Sequence, residues 1–132
     1  MIGDVTHTYL WVEDHDRALD FYTRLLGFEV REDFAAGDRR WVTIGRPGQP
    51  ALRVALVPVD GLGPADAARA RALLAGGHVI GGGLVTDDCR GEHARLAAAG
   101  VHFVAPPEER PYGVEAVLAD DSGNRWGLVQ PH

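Results

Sequence analysis

The sequence contains one pattern twice. The segment Val12-Glu13-Asp14, followed by an amphipathic stretch, is the first copy, and Val85-Thr86-Asp87 begins the second at a constant offset of 73 residues. An Arg follows each Asp by three residues, at Arg17 and Arg90, and a Gly follows each Arg by ten. A repeat of fixed period indicates that one supersecondary unit occurs twice. We therefore predict two copies of a strand-helix-strand unit that close on each other.

Length and composition narrow the class of protein. The chain has 132 residues, of which 45% are hydrophobic and 24% are charged, as is typical of one globular domain. The apolar stretches are short and the first residues do not resemble a signal peptide, so we expect a cytoplasmic protein. A net charge of −6 without a basic run argues against a nucleic-acid partner, and the short apolar stretches argue against a membrane partner. The single cysteine, Cys89, excludes an internal disulfide, and we interpret it as structural.

Hydrophobic periodicity and turn residues predict an α+β fold with the order strand-helix-strand-strand-strand, twice. The first module covers residues 1–58, a helical linker covers 59–77, and the second module covers 78–132. The predicted strands are 7–12, 28–32, 40–45, 52–58, 79–86, 101–105, 114–119 and 125–130, and the predicted helices are 17–26, 64–74 and 90–99.

Two segments resemble a known family. The stretch from Asp14 to Phe28, with the run Phe21-Tyr22-Thr23-Arg24-Leu25-Leu26-Gly27-Phe28, and the closing stretch from Pro111 to Trp126 are similar to the vicinal oxygen chelate superfamily. This superfamily comprises glyoxalases, bleomycin resistance proteins and extradiol dioxygenases. The resemblance implies one domain over residues 1–132, with two βαβββ modules forming a cupped, partly open, barrel-like sheet. It also implies a homodimer.

The resemblance supplies a test for a metal site. In the metal enzymes of the family, the first and last strands of each module provide one ligand each. His7 matches the first of these positions, but residues 52–56, the region of Ile80 and the region of Gly127 contain no ligand side chain. We therefore expect no metal cofactor. Unrecognised ligands such as His78 or Glu115 keep a divalent metal as an alternative.

A ligand site is expected on the inner face of the sheet. Strand alternation places His7, Tyr9 and Trp11 on one face. Phe34, Trp41 and Tyr112 are candidates for the rim, whereas Trp126 is predicted to be core. The predicted ligand-binding residues are His7, Tyr9, Trp11, Trp41, Arg53, Tyr112 and Gly127.

The orientation of Arg53 is open at this stage. Pointing inward, it would anchor a carboxylate or phosphate of a ligand, and pointing outward, it would only be solvated. One residue of strand register decides between the two orientations.

Three functions are compatible with these residues. The first is a binding protein for an aromatic or hydrophobic compound, in the manner of the bleomycin resistance branch. The second is a metal-independent isomerase or lyase in which His7 or Tyr112 moves a proton. The third is a metal-dependent glyoxalase-like lyase or dioxygenase with displaced ligands. A pairing of Glu115 with His102 is a further possible acid-base pair, with surface charge as the alternative.

Overall fold

The computed structural model describes all residues from Met1 to His132 and contains two compact units, Met1–Arg69 and Ala70–His132. Each unit has a mixed four-stranded sheet of its own. The predicted α+β class and the two tandem modules are therefore confirmed. None of the helices is both long and apolar enough to cross a membrane.

The first unit has strands β1 (His7–Val12), β2 (Glu29–Ala36), β3 (Arg39–Gly45) and β4 (Arg53–Pro58). Helix α1 (His15–Asp20) follows β1 and continues as a π-helical turn over Phe21–Leu25. The sheet order is β1-β4-β3-β2, in which β1 and β4 are parallel and the other neighbours antiparallel. A 3₁₀ turn at Val59–Leu62 and helix α2 (Pro64–Ala75) come next.

The second unit repeats this arrangement. Its elements are β5 (Ile80–Val85), α3 (Cys89–Ala98), β6 (His102–Arg110), β7 (Gly113–Ala119) and β8 (Arg125–Pro131). The sheet order is β5-β8-β7-β6, again with the first and last strands parallel. The elements fall within a few residues of their predicted positions, although β2 and β6 extend beyond their predicted ends.

Aspartates start the first helix of each unit. The Asp14 side chain accepts a hydrogen bond from the Arg17 amide at 2.9 Å, and Asp88 accepts one from the Gly91 amide at 2.9 Å. Such caps satisfy amides that lack a partner within the helix. The repeat pairs Asp14 with Asp87, so the true cap lies one residue later in the second copy. The connection from β5 to α3 is one residue longer than that from β1 to α1. It forms a turn in which the Asp88 amide donates to the Thr86 hydroxyl at 3.2 Å.

One face of each sheet is buried against a helix, α1 in the first unit and α3 in the second. In the first unit the largest fully buried side chains include those of Val12, Tyr22, Val42, Ile44 and Val59. In the second, Trp126 is only 6% exposed, which confirms its predicted core position. Burying each large apolar side chain contributes about 1.5–3 kcal/mol before the entropy cost of ordering it is counted.

The first residues of α1 and α3 also form hydrogen bonds to the last strand of their units. His15 Nε2 donates to the Leu56 carbonyl at 2.9 Å, and the Cys89 thiol donates to the Leu128 carbonyl at 3.4 Å. Burial raises the pKa of the Cys89 thiol, which disfavours the reactive thiolate. The geometry therefore agrees with a structural role for Cys89.

Candidate functional site

The first sheet has a face that its helix does not cover, which we call the open face. Residues paired across neighbouring strands project to the same side of a sheet. His7 is paired with Arg53 in one row of this face. The next row across the four strands consists of Tyr9, Ala55, Thr43 and Glu32.

A carboxylate from the edge strand β2 lies on this face. Glu32 Oε1 accepts a hydrogen bond from the Thr43 hydroxyl at 3.0 Å, and the carboxylate also accepts one from the Trp41 indole. These hydrogen bonds, with smaller contributions from Arg53 and His7, hold the pKa of the Glu32 carboxyl below its ordinary value. Glu32 is therefore ionised at neutral pH.

Two cationic or ionisable side chains converge on the same oxygen. Arg53 Nε lies 3.7 Å and His7 Nε2 lies 3.9 Å from Glu32 Oε1. The His7 ring lies 6.0 Å from the Trp41 ring, measured between centroids. The structure thus brings together the predicted residues His7, Trp41 and Arg53, and we call these three, with Glu32 and Thr43, the Glu32 cluster. The cluster lies entirely within the first unit.

The remaining predicted residues of this unit lie on the same face. Tyr9 and Trp11 alternate with buried Leu10 and Val12 along β1, as predicted. The Tyr9 side chain is 68% exposed, and Phe34, paired with Trp41 across β2 and β3, is 52% exposed. Exposed aromatic rings therefore lie on β1 and β2, at the two edges of this face.

Sequence reasoning missed Glu32 because of a β-bulge. The pairing of β2 with β3 shifts between Val30 and Glu32, so Arg31 is the extra residue. Without the bulge, strict alternation would place Glu32 on the core face opposite Val42. Bulges commonly redirect side chains in this way. The Arg31 guanidinium donates to the Arg46 and Pro50 carbonyls at 2.6 and 2.9 Å, which ties the bulge to the turn after β3.

The second unit contains the other two predicted residues. The Tyr112 hydroxyl donates to Glu115 Oε1 at 2.5 Å, and this hydrogen bond raises the pKa of Tyr112. A Cβ atom at Gly127 would lie 3.1 Å from Glu115 Oε2, so the glycine makes space for this carboxylate. Glu115 thus occupies part of the space that Gly127 leaves.

The suggested pairing of Glu115 with His102 is wrong. His102 is paired with Ala119, whereas Glu115 is paired with Glu108. Four residues of β7 therefore separate the two positions, about 13 Å along the strand. The sequence placed both residues in adjacent strands but could not give their register.

The residues do not fit the family's divalent metal. The side chain directly opposite His7 is Arg53, whose positive charge opposes binding of a second cation. No group of three or more His, Cys, Asp or Glu side chains is suitably arranged to hold a metal ion. Catalytic metal sites commonly use three protein ligands.

Comparison with known sequences identifies relatives along almost the entire chain. The family model of the Glyoxalase/Bleomycin resistance protein/Dioxygenase superfamily matches residues 4–128. An uncharacterized protein of Shewanella frigidimarina is 37% identical over 132 residues, covering 98% of this chain and 95% of that protein. The protein YurT of Bacillus subtilis is 32% identical over 127 residues, covering 93% and 95%.

Solved structures share the fold. UcmS2 is 40% identical with a TM-score of 0.89, and the match covers 98% of this chain and 99% of that one. TnmS3, described as an antibiotic binding protein from Streptomyces sp. CB03234, is 30% identical with a TM-score of 0.79, covering 99% and 98%. A superfamily member from Sphaerobacter thermophilus is 30% identical with a TM-score of 0.77, covering 97% of both chains.

Proposed function

The chain belongs to the Glyoxalase/Bleomycin resistance protein/Dioxygenase superfamily, and on this basis we propose that it binds a flat aromatic or hydrophobic small molecule on the open face of the first sheet. The observation that carries the proposal is the Glu32 cluster, a group of polar side chains on the face whose two edge strands carry the exposed rings of Tyr9 and Phe34. Apolar surface with a few convergent polar groups is typical of small-molecule sites.

The relatives support a binding role. TnmS3, which is similar over nearly the full length of both chains, is described as binding an antibiotic. Function within one fold depends on the residues of the site. The ligand of this chain is therefore inferred only as a class, from its own aromatic and polar side chains.

We propose further that binding requires no metal ion. The support is the identity of the side chain opposite His7. In a metal site this position would hold a second metal-binding side chain, but here it holds Arg53. A neutral aromatic probe should therefore bind with the same affinity in the presence and absence of a chelator. A loss of affinity in EDTA that added Zn²⁺ or Mn²⁺ restores would contradict this proposal.

Calorimetric titration with 2-naphthamide tests the proposed site. Trp41→Ala should weaken binding about tenfold because it removes a ring of the proposed wall and a donor to Glu32. Leu73→Ala, which removes an apolar side chain outside the Glu32 cluster, is the control and should bind normally. Equal affinity of both variants and the parent protein would place binding elsewhere.

A second candidate is metal-independent proton transfer, as in an isomerase or lyase. It is favoured by the position of His7 Nε2, 3.9 Å from the Glu32 carboxylate, because a proton-transferring imidazole and a carboxylate then share one site. Tyr112, bonded to Glu115, is the alternative proton donor. Mass spectrometry of a bound compound before and after incubation tests this candidate. Conversion that His7→Gln or Tyr112→Phe abolishes while binding persists would establish it.

We also propose a homodimer located in the cytoplasm. Strands β1 and β5 lie at the edges of their sheets, and Ile80 and Val85 of β5 are 79% and 78% exposed. Exposed apolar edge strands are commonly covered by another chain. Light scattering should give twice the monomer mass, and cell fractionation tests the location.

A further inference from the structure

The donors of the Glu32 cluster outnumber the acceptors available to them. Glu32 Oε1 already accepts a hydrogen bond from Thr43, and the carboxylate accepts another from Trp41. Arg53 Nε lies 3.7 Å from Oε1, which is within ion-pair range but too far for a hydrogen bond. This Nε is buried and has no hydrogen-bond partner. A buried donor without an acceptor is costly, so its retention calls for an explanation.

His7 adds a second donor at the same place. Its Nδ1 lies 3.0 Å from the Thr6 hydroxyl, and its Nε2 faces the ionised Glu32 at 3.9 Å. A carboxylate opposite Nε2 favours a proton on this nitrogen, and Nδ1 then accepts from Thr6. The N–H of Nε2, like that of Arg53 Nε, is too far from Glu32 for a hydrogen bond. Because Arg53 Nε is buried, an oxygen atom from outside the chain would reach the other N–H groups of the Arg53 guanidinium, together with His7 Nε2.

The position of Arg53 allows an outside oxygen atom to approach its guanidinium. Its side chain is 38% exposed and that of His7 is 28% exposed, and the two residues are neighbours across β1 and β4. A guanidinium has five N–H groups in a fixed plane, which matches the two oxygens of a carboxylate. The charge of Glu32 holds the Arg53 guanidinium on this face, but Arg53 Nε donates no hydrogen bond to Glu32.

From this geometry we infer that the bound compound carries an anionic oxygen, a carboxylate or a phenolate, which accepts hydrogen bonds from Arg53 and His7. Its aromatic body then lies against the rings around the cluster. This inference rests on the proposed binding function and specifies its ligand class. Glu32 acts as a positioning residue that keeps Arg53 and His7 directed to one point.

Three naphthalene probes of similar shape test the charge preference. Calorimetry at pH 7.5 compares 2-naphthoate, which is anionic, with neutral 2-naphthamide and cationic 2-naphthylmethylammonium. We expect the naphthoate to bind about tenfold more tightly than the amide, because charge-assisted hydrogen bonds are stronger than neutral ones. The ammonium compound should bind most weakly.

Variants then assign the preference to its residue. Arg53→Gln should reduce the ratio of naphthoate to naphthamide affinity to about one, whereas Arg53→Lys should keep part of it. Arg69→Gln is the matched control, since Arg69 is 76% exposed and paired with Asp66 on a helix. Circular dichroism confirms that each variant is folded.

The outcomes separate the two proposals. Equal affinity for naphthoate and naphthamide, or tightest binding of the ammonium compound, would overturn the inference and leave the binding function standing. A preference for naphthoate that persists unchanged in Arg53→Gln would also overturn it. No binding by any of the three probes would overturn both proposals.

Discussion

The two units of the molecule have the same backbone plan but different surfaces. In each, an aspartate caps the first helix, and the residue after it bonds to a carbonyl of the last strand. The donor is His15 in the first unit and Cys89 in the second. The repeated features are those that satisfy backbone groups and bury apolar side chains, which any copy of the fold needs.

The faces away from the helices differ. In the first sheet this face carries the Glu32 cluster, whereas in the second sheet it carries the Glu115 carboxylate beside the uncharged pair Val117 and Gly127. The Glu115 carboxylate accepts a hydrogen bond from the Tyr112 hydroxyl. The two units therefore share a backbone scaffold, while the chemistry we assign to the site belongs to the first unit alone.

The largest effects should come from the cores, and they should be similar in both units. Ile44 and Leu118 occupy the sixth position of β3 and β7, and both are fully buried. Replacing either by Ala should lower the free energy of unfolding by about 2–5 kcal/mol, because each leaves a cavity. Urea denaturation measures both. Leu73→Ala, at an exposed helical position, should change it by less than about 0.5 kcal/mol. A small effect at only one core position would break the equivalence of the two units.

The turns before the last strands should respond differently. Gly123 has φ +105°, and a Cβ atom there would lie 2.5 Å from the Leu74 carbonyl oxygen. Gly123→Ala should therefore destabilise the protein by about 1–3 kcal/mol.

Gly48, in the corresponding turn of the first unit, is the matched control. A Cβ atom there would meet nothing within 4 Å. Gly48→Ala should thus change stability by no more than about 0.5 kcal/mol. Thermal unfolding of both variants tests the contrast, and equal shifts would show that the two turns are equivalent after all.

The helix-to-strand hydrogen bonds should differ in strength. His15→Ala leaves the Leu56 carbonyl without this donor and should cost about 1.5 kcal/mol. Cys89→Ala should cost less, about 1 kcal/mol, because a thiol is a weak donor. Chemical denaturation measures both, with His15→Gln as a variant that can restore the donor. A larger loss at Cys89 would reverse the comparison.

The smallest effect concerns the titration of Tyr112. Its hydrogen bond to Glu115 raises its pKa, so the stability that it contributes is complete below the ordinary pKa of about 10 and is lost as pH rises through the higher folded pKa. Ultraviolet absorbance of the tyrosinate should show one group fewer titrating at high pH in Tyr112→Phe. In Glu115→Ala, the ionisation of Tyr112 should move to lower pH. An unchanged titration curve in Glu115→Ala would contradict the hydrogen bond.

Much of the fold could be predicted from the sequence. The repeat gave the two modules, and the alternation of buried Leu10 and Val12 with Tyr9 and Trp11 gave the faces of β1. These features are local, since they depend on the period of the strand and on capping residues. The prediction that Glu115 pairs with His102 was wrong because it depended on the register between two strands.

The same distinction between local pattern and strand pairing holds for the site. The sequence by itself determined the family, the two-module architecture and the position of His7 on an exposed strand face. These features depend on periodicity and motif spacing, which involve residues close together in the sequence. Only the tertiary structure decided that Arg53 lies beside His7 and that Glu32 Oε1 lies within 4 Å of both. Both facts depend on strand pairing, and a single extra residue at Arg31 turns Glu32 from the core face to the open one.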